Sequence, residues 1–411
     1  MKIGYACIPM GIDARTTRSF ILKNFTFDRF YESVKLNLED LQKILKYNLD
    51  NDIYMFRISS DIIPFGSHKI NDCKWWSTFS EELNCIGNFI KDNNIRVSMH
   101  PGQYTILNSP SKEVAIKSIE DIEYHTRFLD ALNVDYSNKI ILHVGGAYND
   151  KTLALKRFKN NFKKLSTSAM KRLVLENDDK LFNIDEVLNL CTELNIPAVF
   201  DNLHNYFNPS TNENILEILK IVKSTWKSED GNMKIHYSDS NPEKRNAAHS
   251  NHVNIENFLN FYDHIKELDT DIMLEVKDKD ISAIECINSL YFKNKPYIKF
   301  NEWSKYKYTV MEKNYLLYKE CSKIINSKAD IINFYKILDK ILSLPYNEKN
   351  FKNTILHTWG YVKDSASQKE KNKFFKLLDE LDNPDKPKNM LKKLCIKYNA
   401  TYLLDSYYFV L

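Results

Sequence analysis

The chain has 411 residues, too many for one average domain and enough for a barrel-sized domain with a smaller one. Hydrophobic residues make up 43% and charged residues 27%, which excludes wholesale disorder, and no apolar run reaches the roughly 18 to 20 residues of a membrane helix. A formal net charge of +4 permits an anionic partner without demanding one, while seven scattered cysteines, never spaced CxxC, argue against a disulfide framework and a thiolate zinc site and fit a reducing compartment.

From the start to about residue 290, short runs rich in Val, Ile, Leu and Phe alternate with longer stretches of helical periodicity. The opening MKIGYACIPMG reads as a strand rather than a signal peptide. The pattern predicts strands over 2–7, 53–59, 96–100, 139–145, 172–177, 197–202, 233–238 and 271–277. Intervening helices are predicted over 29–51, 81–93, 112–132, 184–194 and 212–223, with apolar residues at helical spacing. Eight strands, each followed by a helix, predict an α/β fold, a (β/α)8 TIM barrel over residues 1–290. A doubly wound open sheet uses similar units, but its usual Gly-rich phosphate fingerprint is absent. Beyond residue 300, helical segments over 303–325, 329–344, 351–363, 368–381 and 388–398 follow one another without strands, so 291–411 is expected to be a separate α-helical domain. Its boundary is expected within 291–302, on a Lys-Asn-Lys-Pro turn signal.

Histidines and carboxylates cluster at the predicted strand ends. His100 closes RVSMH, His143 sits in ILHVGG, and Glu176 ends LVLE. Asp201 ends AVFD and precedes His204, His236 lies in KIHYSD, and Glu275 lies in MLEV. The C-terminal ends of barrel strands share one mouth, so these residues converge there, and the loops carrying His68 and His249 reach the same mouth. Carboxylates gathered in a half-buried mouth repel one another unless cations lie between them. Imidazole and carboxylate without thiolate suit zinc, manganese or iron, and so many candidate ligands exceed the needs of one ion, which points to a multinuclear site. Such a site suits phosphodiester hydrolysis, with metal-assisted sugar isomerisation as the alternative. Any one of these histidines is as well explained by structural hydrogen bonding; their joint placement at one rim carries the reading. His125, His252, His264 and His357 lack that context and are expected to be surface or packing residues.

Lys234 lies two positions before His236, so period-two alternation aims both into the barrel. A lysine facing metal ions must be neutral, paired with a carboxylate, or modified to an anion, unless the register is off by one and it points outward. Arg15, Arg18, Lys244 and Arg245 flank the predicted mouth and are either phosphate contacts or solvated surface.

At these residues the sequence resembles the UV damage endonuclease family. The matching stretches are IGYAC with its TTR turn, FRISSDIIPFGSH, SMHPGQY, LHVGGAY, LENDD, DNLHNYFNP, KIHYSD followed by NPEKRNAAHS, and MLEVKDK, in that order. That family is similar in fold to endonuclease IV and xylose isomerase, both metal-dependent barrels. The resemblance implies a hydrolase that cuts double-stranded DNA immediately 5′ to UV photoproducts, leaving a 3′-hydroxyl and a 5′-phosphate from which excision repair begins. It also implies three divalent ions, manganese by family habit with zinc or magnesium as alternatives. Their ligands would be His68, His100, His143, Glu176, Asp201, His204, His236, His249 and Glu275. Lys234 matches a barrel lysine that relatives carry carboxylated on its amine, a metal-bridging anion. Lys234, His100, His143, Glu176, His236 and Glu275 are then the expected catalytic set.

Gln103 and Tyr104 match a wedge that enters the duplex while the damaged bases flip out of the stack. Tyr104 alone could equally be a packed aromatic, but a loop beginning Pro-Gly leaves it few core neighbours. Tyr5 matches a tyrosine near the active site, whereas Ile8-Pro9 replaces a polar residue of some relatives and puts a lesion contact there in doubt. The helical region, with WSKYKY, LHTWGYVKD, KEKNKFF and LLDSYYF, looks like an extension of some bacterial members, its aromatics either core or a base-stacking surface. A cytoplasmic monomer acting at the nucleoid is expected. The rival readings are an apurinic-site endonuclease on the same barrel and a non-catalytic damage-binding protein.

Overall fold

A computed structural model describes residues 1–241, 243–244 and 247–411, and all eight predicted strands form. They are β1 (Ile3–Ala6), β2 (Met55–Ile58), β3 (Arg96–Met99), β4 (Ile140–His143), β5 (Leu173–Glu176), β6 (Ala198–Asp201), β7 (Lys234–Tyr237) and β8 (Asp271–Leu274). All pair in parallel, in sequence order, and β8 closes on β1 to complete the barrel. Most predicted strands are trimmed at both ends, where mostly polar flanking residues such as Lys2, Ser59, Lys139, Asn177 and Ser238 leave the ladder to begin the loops. Several of the helices between them begin at side-chain caps, where Thr26, Ser111, Asn183 and Asn214 each accept a backbone N–H of the first turn, whereas helix Ser80–Asp92 starts at Phe79 without one.

Register decides what faces the barrel axis, because paired residues of parallel strands share a side. Gly4 pairs with Met55 and with Met273, Arg57 with Ser98, His143 with Glu176, Asp201 with His236, and Lys234 with Asp271. These residues point inward. A Cβ on Gly4 would lie 2.0 Å from the Met55 carbonyl oxygen, so glycine lets β1 close against β2. Ile141, Val174 and Val199 fill the middle of the barrel without solvent contact. Nearer the strands' N-terminal ends, Arg96 pairs with Asp271 at 2.8 Å and Lys139 with Asp230 at 2.5 Å. The interior is thus ion-paired at its floor, apolar in the middle, and rich in imidazole and carboxylate at its mouth.

The chain divides into two compact units. The first comprises Met1–Pro9, Asp13–Val253 and Leu259–Ile284, the second Met10–Ile12, Asn254–Phe258 and Glu285–Leu411. The expected boundary after residue 290 lies inside the second unit. Pro296, read as part of a turn, instead opens helix Pro296–Lys313, where a missing N–H leaves no helical bond unmade. Six further helices follow: Tyr315–Ile325, Ile331–Leu342, Glu348–Trp359, Gln368–Asp379, Asp385–Lys397 and Thr401–Leu404. The helix expected over 303–325 is broken at Asn314, whose side chain caps Tyr315–Ile325. Tyr308, Phe351, Trp359, Phe374 and Tyr408 belong to one core cluster of this unit, with Trp359 stacked on Phe374 at 4.2 Å. No helix among the described residues is long and apolar enough to cross a membrane.

Candidate metal centre

Glu176 is the hub of the mouth. It ends β5 facing inward, 1% exposed, with four imidazoles around its two oxygens. His236 Nδ1 lies 2.9 Å and His204 Nδ1 3.6 Å from Oε1, while His100 Nε2 lies 3.3 Å and His143 Nε2 3.7 Å from Oε2. His236 Nδ1 is also 3.1 Å from Glu275 Oε1, and His249 Nε2 is 3.6 Å from Glu275 Oε2. Asp201 ends β6 and caps the helix Asn202–Phe207 that begins immediately after it, taking the His204 N–H on Oδ1 at 2.7 Å. That abrupt strand-to-helix turn brings His204 back over the mouth.

Three sets could each hold a cation, their ligand atoms lying within 4.8 Å of one another: His100, His143 and Glu176; Glu176, Asp201 and His204; Asp201, His236 and Glu275. Glu176 and Asp201 are each shared by two sets. Among the described residues the buried atoms His143 Nδ1, Asp201 Oδ2 and His236 Nε2 have no hydrogen-bond partner, a costly condition for polar groups unless something else binds them. His100 donates Nδ1–H to the Pro101 carbonyl at 2.9 Å, and burial holds its imidazole below the ordinary range, so its Nε2 lone pair faces a carboxylate oxygen. Two facing lone pairs fit a cation between them. Likewise His204 donates Nδ1–H to the Asn177 carbonyl at 2.9 Å, the outer hydrogen bond that fixes a ligating histidine's tautomer.

The electrostatics agree. Burial pushes the Asp201 carboxyl upward, opposed by His204 and reinforced by the charges of Glu176 and Glu275. Burial also works against ionised Glu176, but His236 and His143 outweigh it and hold that carboxyl well below the usual range. For His204, burial is outweighed by Asp201, Glu176 and Glu275, which raise it to about 9. An excess of buried negative charge gathers cations, and the donor set of oxygen and imidazole nitrogen fits divalent metal.

The structure treats the remaining expected site residues unevenly. His68 is exposed, accepts the Ile70 N–H on Nδ1 at 3.1 Å, and stays outside the three sets, although it borders the same mouth. Lys234 is buried beside His236 as its alternation requires, without an ion pair or side-chain hydrogen bond among the described residues. Burial, then Arg96 and Arg57, drives its amine well below the ordinary lysine range. Gln103 and Tyr104 stand in solvent at the tip of the loop after β3, Tyr104 82% exposed. Arg15 and Lys244 are exposed, and Arg245 lies outside the described residues.

Two expectations are corrected. Tyr5 is fully buried on the outward face of β1 and donates its hydroxyl to Asn48 Oδ1 at 2.8 Å, so it packs the barrel against helix Phe27–Asp50 and meets no ligand. Arg18 is engaged with Asp40 at 2.6 Å and with the Arg15 carbonyl, which ties the first loop to that helix instead of freeing the guanidinium for phosphate.

Two residues were missed. Arg57 faces inward from β2 and forms an ion pair with Glu275, both side chains largely buried. Lys277, just past β8, lies against Lys244, and that contact, with burial and Lys279 adding to it, lowers its ammonium. Beside the metal sets a cavity of about 1010 Å³ is lined by Cys7, Arg57, His68, His100, Tyr104 and Glu275.

Residues 1–304 match the family UV-endonuclease UvdE. The chain belongs to that family. It is therefore a DNA endonuclease, a hydrolase. Residues 307–411 match a second family, a protein of unknown function, DUF1722. A UV DNA damage endonuclease of Clostridium perfringens (strain 13 / Type A) is 49% identical over 413 residues, 99% of either chain. One from Bacillus cereus (strain B4264) is 35% identical over 287 residues, 69% of this chain and 90% of its own. The crystal structure of SacUVDE matches with a TM-score of 0.67 and 39% identity, covering 71% of this chain and 98% of that one.

Proposed function

We propose that this chain, a cytoplasmic monomer working at the nucleoid, hydrolyses the phosphodiester immediately 5′ to a UV photoproduct in double-stranded DNA, leaving a 3′-hydroxyl and a 5′-phosphate. The observation that carries the reading is Glu176, placed among four imidazoles at 2.9 to 3.7 Å in the mouth of a UV-endonuclease barrel. Three divalent ions, manganese in preference to zinc or magnesium, suit the three overlapping sets, with His249 and His68 as outer ligands. Such ions, when bound, supply Lewis-acid charge to the phosphate and activate water near neutral pH.

The protein's own groups do the rest. Arg57 holds Glu275 in place, and Ser238 Oγ, 2.9 Å from His249 Nδ1, orients that ring. Lys244 and Lys277, two ammoniums side by side, attract a phosphate of the flanking backbone, with Arg15 and Arg245 as further contacts. Gln103 and Tyr104 enter the duplex at the lesion, and the neighbouring cavity gives extruded bases room. Distorted photoproducts are cheaper to unstack than intact pairs, which favours damaged DNA. Lys234, buried and disposed to be neutral, is in the form that adds carbon dioxide: its nitrogen bonds the carbon, a proton leaves, and a carbamate anion replaces an unwelcome cation.

The test is nicking of an end-labelled duplex carrying one defined photoproduct, with undamaged and abasic duplexes alongside, in manganese and then in EDTA. Metal-dependent cutting just 5′ to the photoproduct is expected. Faster cutting of the abasic duplex would instead assign an apurinic-site endonuclease, and no cutting in any of the three metals would remove the proposal.

A further inference from the structure

The two family regions divide the charge of the chain unequally. Residues 1–306 carry 39 basic against 42 acidic groups, whereas residues 307–411 carry 19 lysines, no arginine and 12 carboxylates, a net +7. The protein's excess positive charge therefore belongs to the region whose family has no known function.

Of the aromatics of that region, Tyr315, Tyr346, Tyr361, Phe375 and Tyr402 are exposed, and of these five only Tyr361 and Tyr402 stack on one another. Tyr361, just past helix Glu348–Trp359, and Tyr402, in helix Thr401–Leu404, stay 41% and 44% exposed. Exposed tyrosines ordinarily sample several rotamers; these are held. Their rings stack 5.8 Å apart and 17° from parallel. The Tyr361 hydroxyl lies 2.5 Å from that of buried Tyr308, and the Lys307 ammonium sits 4.7 Å from the ring centres of both Tyr308 and Tyr402. Lys363, two residues beyond Tyr361, is exposed, and neither Lys307 nor Lys363 has a carboxylate partner among the described residues. A pre-set pair of π surfaces flanked by uncompensated ammoniums suits an anion that also presents aromatic faces. Proteins that grip unpaired nucleic acid combine these two elements, stacking for the bases and positive charge for the backbone.

We propose that Tyr361 and Tyr402, with Lys307 and Lys363, form a stacking site for unpaired bases of single-stranded DNA. A single strand is required because bases within a duplex already use both faces. DNA is chosen because the same chain carries a DNA endonuclease barrel, the one point at which the inference rests on that reading.

The test uses the full-length protein in EDTA, with a labelled oligo-dT of about 20 nucleotides, the matching duplex and an oligo-U strand, read by fluorescence anisotropy. Wild type should bind the dT strand more tightly than the duplex or the RNA. Y361A/Y402A should weaken dT binding by about tenfold or more, and Y361F/Y402F should retain it. An unchanged circular-dichroism spectrum and melting temperature in Y361A/Y402A report that the variant is folded. Should that variant unfold, K307Q/K363Q provides the second arm, with the slope of log affinity against log salt shallower by about 1.4. Absent dT binding, unaltered affinity in a folded Y361A/Y402A, an unchanged salt slope in K307Q/K363Q, or preference for oligo-U would each overturn the proposal. Neither lesion nor metal is present, so failure of the incision reading would leave this binding result standing.

Discussion

Glu176→Gln keeps the side chain's size and removes one charge where it has most to organise. Its oxygens lie 2.9 Å from His236 Nδ1 and 3.3 Å from His100 Nε2, and the residue is shared by two of the three candidate cation sets. A glutamine offers one oxygen in place of two, and its amide would present N–H groups to imidazoles meant to face a cation. Loss of even an outer partner at a metal site costs about 10- to 100-fold in metal affinity or activity, so weakening two sets together should cost about 10²- to 10⁴-fold in kcat/KM, roughly 3 to 5 kcal/mol. The assay is single-turnover nicking of a photoproduct duplex at saturating manganese, with the metal content of the purified variant measured by mass spectrometry. DNA binding should survive, because no proposed DNA contact is altered. A Glu176→Gln protein that carries as much metal as wild type and nicks within threefold of its rate would refute the placement of Glu176 at the centre of the site.

Tyr104 is 82% exposed with no ring partner among the described residues, so Tyr104→Ala should leave the melting temperature unchanged while lowering the ratio of nicking on damaged to intact duplex by about tenfold; an unaltered ratio removes the wedge. Replacing Lys244 and Lys277 together by alanine should weaken binding to damaged and undamaged duplex alike and make the salt slope shallower by about 2, and an unaltered slope would show that neither meets a phosphate. Arg57→Met leaves buried Glu275 without its guanidinium and should cost about 3 to 5 kcal/mol of stability in EDTA, read from urea unfolding, whereas an unchanged midpoint would assign the pair no structural weight. His125, 1% exposed with Nδ1 donating to the Asp121 carbonyl at 2.7 Å, is held by burial below its ordinary 6.5. Its folded form resists protonation, so its contribution is complete above about pH 6.5 and falls away as pH drops below it; the urea midpoint should decline less between about pH 7.5 and 5.5 in His125→Phe than in wild type, and equal declines would contradict this.

What the sequence makes legible follows from barrel geometry. Once eight strands are recognised, a residue at the C-terminal end of any of them is committed to one rim, which is why His100, His143, Glu176, Asp201, His236 and Glu275 can be gathered without coordinates. Loop residues lack such a frame: His68 reaches the rim of the mouth but not the cation sets, and Arg18 is captured by Asp40, 22 residues away on a helix face. Tyr5 fails for a subtler reason. In IGYAC the inward positions of β1 belong to Gly4 and Ala6, because the strand packs closely on β2 and only small residues fit, so the conspicuous tyrosine takes the outward place. The same alternation contained the signal for Arg57, a charge inside the otherwise apolar run MFRI, which a buried strand retains only if a carboxylate such as Glu275 awaits it. Parity along short strands therefore sorts rim residues into those that face the cations and those that face the helices, and Lys234 and Tyr5, one assigned by parity and the other without it, show what that constraint decides.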